Sequence, residues 1–113
     1  MPHVIIEYAQ DAISDNQVNP LIEAVYSSIV ETNIFDKNNI KIRAVPCLYY
    51  KVGEGARSFL HTQLRIQPGR HTEKKQKLSA AVLVAIRDMA LKIDVITAEV
   101  IDMDKSSYSK IEM

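Results

Sequence analysis

Two kinds of residue in this chain could do chemistry together. One is a proline that a single cleavage would turn into an amine; the other is a set of cations that could hold carboxylates. Pro2 follows Met1 and opens the apolar run Val4-Ile5-Ile6. With Met1 removed, Pro2 is a free secondary amine at the head of a strand, and a neutral amine held there is a candidate general base. With Met1 retained, the same nitrogen is a tertiary amide with no basic lone pair. A Met-Pro start also has a plainer meaning, efficient methionine removal.

The candidate carboxylate anchors are Arg70, Arg43 and Lys41. Arg70 follows Gly69 just ahead of a helical pattern. The first N–H groups and the dipole of a helix favour anions there, and the guanidinium fork suits a carboxylate. Lys74, Lys75 and Lys77 follow within two turns and oppose that dipole, which hints at a positive patch but equally fits a solvated face. Lys41 and Arg43 alternate within Ile40-Lys-Ile-Arg-Ala-Val45, so a strand places both on one face. That face is either wet or the wall of a pocket.

The remaining candidates are weaker. His3, His61 and His71 lack metal-ligand spacing. His71 suits a helix cap, and mid-strand His61 suits a packed, hydrogen-bonded role. The single cysteine, Cys47, excludes an internal disulfide and a multi-thiolate metal site, and is read as an inert, buried thiol. No nucleophile elbow, phosphate-binding loop or zinc signature occurs. Neither a metal nor a cofactor is expected.

The elements that must position these residues follow from periodicity. An unbroken apolar run gives a strand over 2–8, covered on both faces. Ile22, Val25 and Ile29 recur at helical spacing, giving a helix over about 16–32. Asp15 or Asn19 would cap it, with Pro20 in its first turn and Asn33 as its stop. Period-two alternation gives a strand over 40–45, which Pro46 interrupts and Leu48, Tyr49 and Tyr50 could resume. A turn at Gly53-Glu54-Gly55 leads to a strand over 58–66, with Phe59, His61, Gln63 and Arg65 on one face. Leu78, Val82, Ala85, Ile86 and Met89 form the stripe of a helix over about 72–91, and a last strand runs over 95–103. The polar tail, 104–113, is left unassigned.

This order is a doubled βαβ unit, with pseudo-repeats over about 1–52 and 56–103 of a single domain, 1–113. The fold class is α+β: a four-stranded mixed sheet with two helices on one face. Two helices cover one face only, so the other face is expected to be covered by a second copy in a homo-oligomer. The chain has 113 residues, 47% apolar and 25% charged, and its 14 acidic residues balance its 14 basic ones. That balance argues against a nucleic-acid partner. No apolar run approaches the ~18 residues of a membrane span, and no leader is visible before the first strand, so a cytoplasmic protein is expected.

Three blocks give the chain a family resemblance. The start Met1-Pro-His-Val-Ile-Ile-Glu7, the strand Ile40-Lys-Ile-Arg-Ala44 and the run His61-Thr-Gln-Leu-Arg-Ile-Gln-Pro-Gly-Arg70 resemble 5-carboxymethyl-2-hydroxymuconate isomerase. That family belongs to the tautomerase superfamily, with 4-oxalocrotonate tautomerase and macrophage migration inhibitory factor. The resemblance implies a homotrimer of doubled βαβ subunits with the sheets facing inward. It implies a cofactor-independent isomerase of aromatic-compound catabolism, acting on a 2-hydroxymuconate-type dienol polycarboxylate. It makes Pro2 the base, and Arg70 and Arg43 carboxylate ligands. Lys41 stands where relatives carry an arginine; it keeps the charge and loses the fork. Two other readings are a tautomerase of different substrate, such as a haloacrylate hydratase, and a non-catalytic oligomeric binding module on the same scaffold.

Overall fold

The computed structural model describes residues 1–113. The elements are β1 (His3–Ala9), α1 (Asp15–Glu31), β2 (Lys41–Cys47), β3 (Phe59–Ile66), α2 (Thr72–Asp88) and β4 (Val95–Asp102), with single 3-10 turns at Gln10–Ala12 and Lys37–Asn39. The sheet order is β2-β1-β3-β4. β1 pairs parallel with β2, β3 pairs parallel with β4, and the two halves join through the antiparallel β1–β3 pair. The expected α+β arrangement, a four-stranded mixed sheet with two helices, is the one observed.

The core lies between the sheet and the helices. Val4, Ile6, Tyr8, Leu60, Leu64 and Ile66 point at Leu21, Val25 and Ile29 of α1 and at Leu78, Val82 and Ile86 of α2. Each is a period-two or period-3.6 position, so the sequence pattern translates directly into the dry interface. Truncating such a side chain to alanine costs about 2–5 kcal/mol. The expectation that β1 is covered on both faces does not hold within this chain. Burial alternates along β1, and Ile5 is half-exposed between buried Val4 and Ile6. The helices occupy one side only, so an apolar run does not by itself produce a second cover.

Local chemistry moved several boundaries. Ser14, not Asp15 or Asn19, caps α1. Its backbone N–H donates to Gln17 Oε1 at 3.0 Å, the Gln17 side chain reaching back as in a capping box, while Gln17 N–H donates to the Ser14 backbone carbonyl at 2.9 Å. Pro20 consequently lies inside α1 rather than in its first turn, and the Asn16 carbonyl has no helical donor from it. β2 runs through Pro46 to Cys47. It is an edge strand with a neighbour on one side, where proline is tolerated. Leu48 to Tyr50 do not resume it; the chain bends and leaves Leu48 and Tyr49 exposed. Cys47 is half-buried rather than buried.

Left-handed residues stop both helices. Asn33, at φ 57°, ends α1 as its type suggests. Ala90, at φ 54°, ends α2 at Asp88, short of the expected 91. An alanine in that region is strained, because Cβ approaches the following carbonyl. Ala90→Gly should therefore raise stability by about 1 kcal/mol, read as a higher thermal midpoint. A second local cost is the hydroxyl of Thr62, which is fully buried without a hydrogen-bond partner. Thr62→Val should gain on the order of 1 kcal/mol in chemical denaturation.

Candidate active site

Pro2 is buried, and its carbonyl accepts the N–H of Lys41 at 3.0 Å. That bond starts the parallel ladder in which His3 pairs with Lys41 and Ile5 with Arg43. On the other side His3 pairs with Arg65 of β3. Alternation then places His3, Lys41, Arg43 and Arg65 together on the face that the helices leave open. Arg43 Nη1 stands 3.5 Å from His3 Nδ1. The structure thus brings Pro2, Lys41 and Arg43 to one end of the sheet.

Electrostatics at that end favour neutral bases. Burial, followed by the charges of Arg43, Lys41, the chain amine and Arg65, holds His3 below the usual histidine range. The Met1 amine donates to the Asn39 carbonyl at 3.0 Å. Burial, then the charge of Lys41, lowers its pKa as well. The Lys41 ammonium donates to the same carbonyl at 3.1 Å. None of Lys41, Arg43 and Arg65 forms a salt bridge. The charge of Lys41 is felt by the Glu112 carboxylate of the tail, but no carboxylate is bound to any of the three, which leaves a surface able to receive a polycarboxylate.

Arg70 is placed differently. Gly69, at φ 115°, turns the chain after β3, and the Arg70 guanidinium lies 4.7 Å from the centre of the Phe35 ring, a cation–π contact. Its side chain forms no salt bridge within this chain. His71 occupies the N-cap of α2, but its side chain makes no capping bond. The helix lysines do not form one patch: Lys75 is bound to Asp102 of β4 at 2.8 Å, and Lys77 lines a groove between the helices. His61 is held across strands by Thr97 Oγ1 at 2.7 Å and Glu99 Oε2 at 2.6 Å, the packed, hydrogen-bonded role its position suggests.

Sequence reasoning missed three members of this neighbourhood. His3 has no metal-ligand spacing, and its only signal is that it directly follows Pro2. Period two gives Arg65 its strand face, but only the antiparallel register sets it opposite His3. Tyr108 comes from the unassigned tail: its hydroxyl lies 2.9 Å from His3 Nε2, and the two rings meet edge-on at 5.9 Å. The Asp104-Lys-Ser-Ser turn that aims Tyr108 was the only signal available.

The larger cavities lie elsewhere. One of about 530 Å3, lined by Asp11, Tyr50, Arg57, Lys92 and Asp94, occupies the opposite end of the sheet. Another of about 530 Å3 lies between the two helices. Pro2 and the cations therefore stand on an open face and not inside a cleft of this chain. No helix is long and apolar enough to cross a membrane.

Comparison with known proteins identifies the fold. A 5-carboxymethyl-2-hydroxymuconate isomerase from Deinococcus radiodurans R1 superposes with TM-score 0.83 at 22% identity, over 99% of this chain and 90% of that one. The symmetric trimer of a fused 4-OT gives TM-score 0.80 at 15% identity, over 96% and 90%. Macrophage migration inhibitory factor from Toxoplasma gondii gives 0.75 at 12%, over 96% and 95%. These likenesses establish the tautomerase fold. No curated protein sequence gives a significant match. The sequence profile described as 5-carboxymethyl-2-hydroxymuconate isomerase matches residues 2–100, nearly the whole folded body and every residue of the Pro2 neighbourhood except Met1 and Tyr108. The chain belongs to the 5-carboxymethyl-2-hydroxymuconate isomerase family, a family of isomerases.

Proposed function

We propose that this isomerase is a cofactor-independent keto–enol tautomerase of aromatic-compound catabolism. Its substrate would be a 2-hydroxymuconate-type dienol polycarboxylate, such as 5-carboxymethyl-2-hydroxymuconate, and its base the amine of Pro2 after Met1 is removed. The observation that carries this reading is the environment at the head of β1. Burial and Lys41 lower the pKa of the Met1 amine next to Pro2, and Lys41, Arg43 and Arg65 stand there without salt bridges. A proline nitrogen in that place is biased towards the neutral form a base requires.

In the proposed reaction the Pro2 nitrogen takes the proton of the enol hydroxyl. The oxygen electron pair forms the ketone, and the conjugated double bonds carry the displaced pair to the far carbon. The protonated Pro2 returns its proton to that carbon. Lys41, Arg43 and Arg70 hold the substrate carboxylates, and the same cations keep the amine from retaining its proton. Arg70, turned onto Phe35, would have to rotate or act on a site shared with another copy. The uncovered sheet face and the trimeric fused 4-OT relative support a homotrimer, whose neighbouring subunits would enclose the open site. We place the activity in the cytoplasm, with the whole chain working as one domain.

A second reading follows from the same chemistry: a protein that keeps Met1 has no basic Pro2 and would be a binding module on this scaffold. A tautomerase acting on a different substrate uses the same residues.

The test is the ultraviolet decay of the dienol, with protein whose mass proves that Met1 is absent. Catalysed decay is expected, and decay at the buffer rate removes this activity. Pro2→Ala keeps a primary amine and should lose roughly 10²-fold or more in kcat/KM. Arg43→Ala should lose about 2–5 kcal/mol of transition-state stabilisation if the charge pair is desolvated. The rate should rise with pH through one ionisation, because only the deprotonated amine acts. Lys41 lowers that pKa, so Lys41→Gln should move the ionisation to higher pH; an unmoved profile would remove Lys41 from this role.

A further inference from the structure

The tail beyond β4 is built to deliver one side chain. Met103 is buried, and its N–H donates to the Ile66 carbonyl at 2.7 Å, which pins the root of the tail to the end of β3. The Asp104 carboxylate accepts from Ser106 N–H at 3.1 Å, Ser106 Oγ at 2.7 Å and Ser107 Oγ at 3.0 Å. Tyr108 N–H donates to the Asp104 carbonyl at 3.1 Å. This closed turn reverses the chain and sets the Tyr108 hydroxyl on His3, beside Lys41, Arg43 and Arg65.

Donor and acceptor roles around His3 are fixed by counting protons. A guanidinium can only donate, so His3 Nδ1, facing Arg43, must carry the lone pair. A neutral histidine then has its proton on Nε2, and Nε2–H donates to the Tyr108 oxygen. The tyrosine's own O–H proton is not used in that bond, and Tyr108 makes no other side-chain hydrogen bond. Glu112, further along the tail, is bound to Lys110 at 3.0 Å. Donation along Arg43, His3 and Tyr108 runs in one direction, and each link polarises the next.

We infer that Tyr108 is a further substrate-positioning residue, whose hydroxyl donates a hydrogen bond to a carboxylate that Arg43 and Lys41 hold. The unspent proton and the unpaired cations point to the same ligand chemistry, an anion with oxygen acceptors. This rests on the function proposed above for the same site. It adds the tail to that site, beyond the residues 2–100 that the family profile matches.

Tyr108→Phe tests it, because phenylalanine keeps the edge-on contact with His3 and removes only the hydroxyl. With Met1-free protein and the dienol, KM should rise about tenfold while kcat falls far less, since a hydrogen bond to a charged acceptor is lost. An unchanged KM overturns the inference, as does an equal fall in kcat with a lowered thermal midpoint, the mark of a merely structural tyrosine. If wild type fails to turn over the dienol, the proposed activity fails separately. Titration calorimetry with cis,cis-muconate, an unreactive dicarboxylate, then decides the point. Affinity about tenfold weaker in Tyr108→Phe supports the role of Tyr108; equal affinities, or no binding by wild type, overturn it.

Discussion

The hydrogen bond from Lys41 N–H to the Pro2 carbonyl is the constraint on which the rest of this site depends. It is the first rung between β1 and β2, and it fixes the register of both. Because side chains alternate along a strand, a slip of one residue would carry Lys41 and Arg43 to the helix side. Their charges would then displace Ile42 and Ala44 from the core. The core and the cation group are therefore two consequences of one register, and neither can be changed without the other.

The same alternation divides the sheet into unequal faces. The helix face is dry and supplies the stability. On the open face the charges are segregated along the strands. Towards the far end His61 is satisfied by Glu99 and Thr97, whereas at the head of β1 Lys41, Arg43 and Arg65 form no salt bridge. Exposed ion pairs contribute little to stability, so leaving three cations unpaired costs the fold little. It does create a region of positive potential that a dry or balanced surface would lack. Together with burial, Lys41 in that region lowers the pKa of the Met1 amine at the head of β1.

Much of the fold was legible in the residues. The stripe of α2 from Leu78 to Ile86 and the alternation of β3 are local patterns, and both form the elements they imply. The departures share one cause: a neighbour outside the pattern decided the outcome. Pro46 continues β2 because β2 is an edge. Ser14 caps α1 because Gln17 reaches back to it. Ala90 ends α2 in a conformation its residue type disfavours, and nothing in its own side chain signals that stop.

For the site, the sequence by itself determined which chemical groups exist and on which strand face each falls. Pro2 at the head of an apolar strand, Lys41 and Arg43 two apart, and Arg65 in step with His61 are all readable from period two. Tertiary structure alone decided which faces meet. It set Arg65 opposite His3 through an antiparallel register, turned Arg70 onto Phe35, and brought Tyr108 back from the end of the chain to within 2.9 Å of His3. Periodicity is a property of neighbouring residues. Register and chain reversal are set by contacts between residues as far apart as His3 and Tyr108, and no local pattern records them.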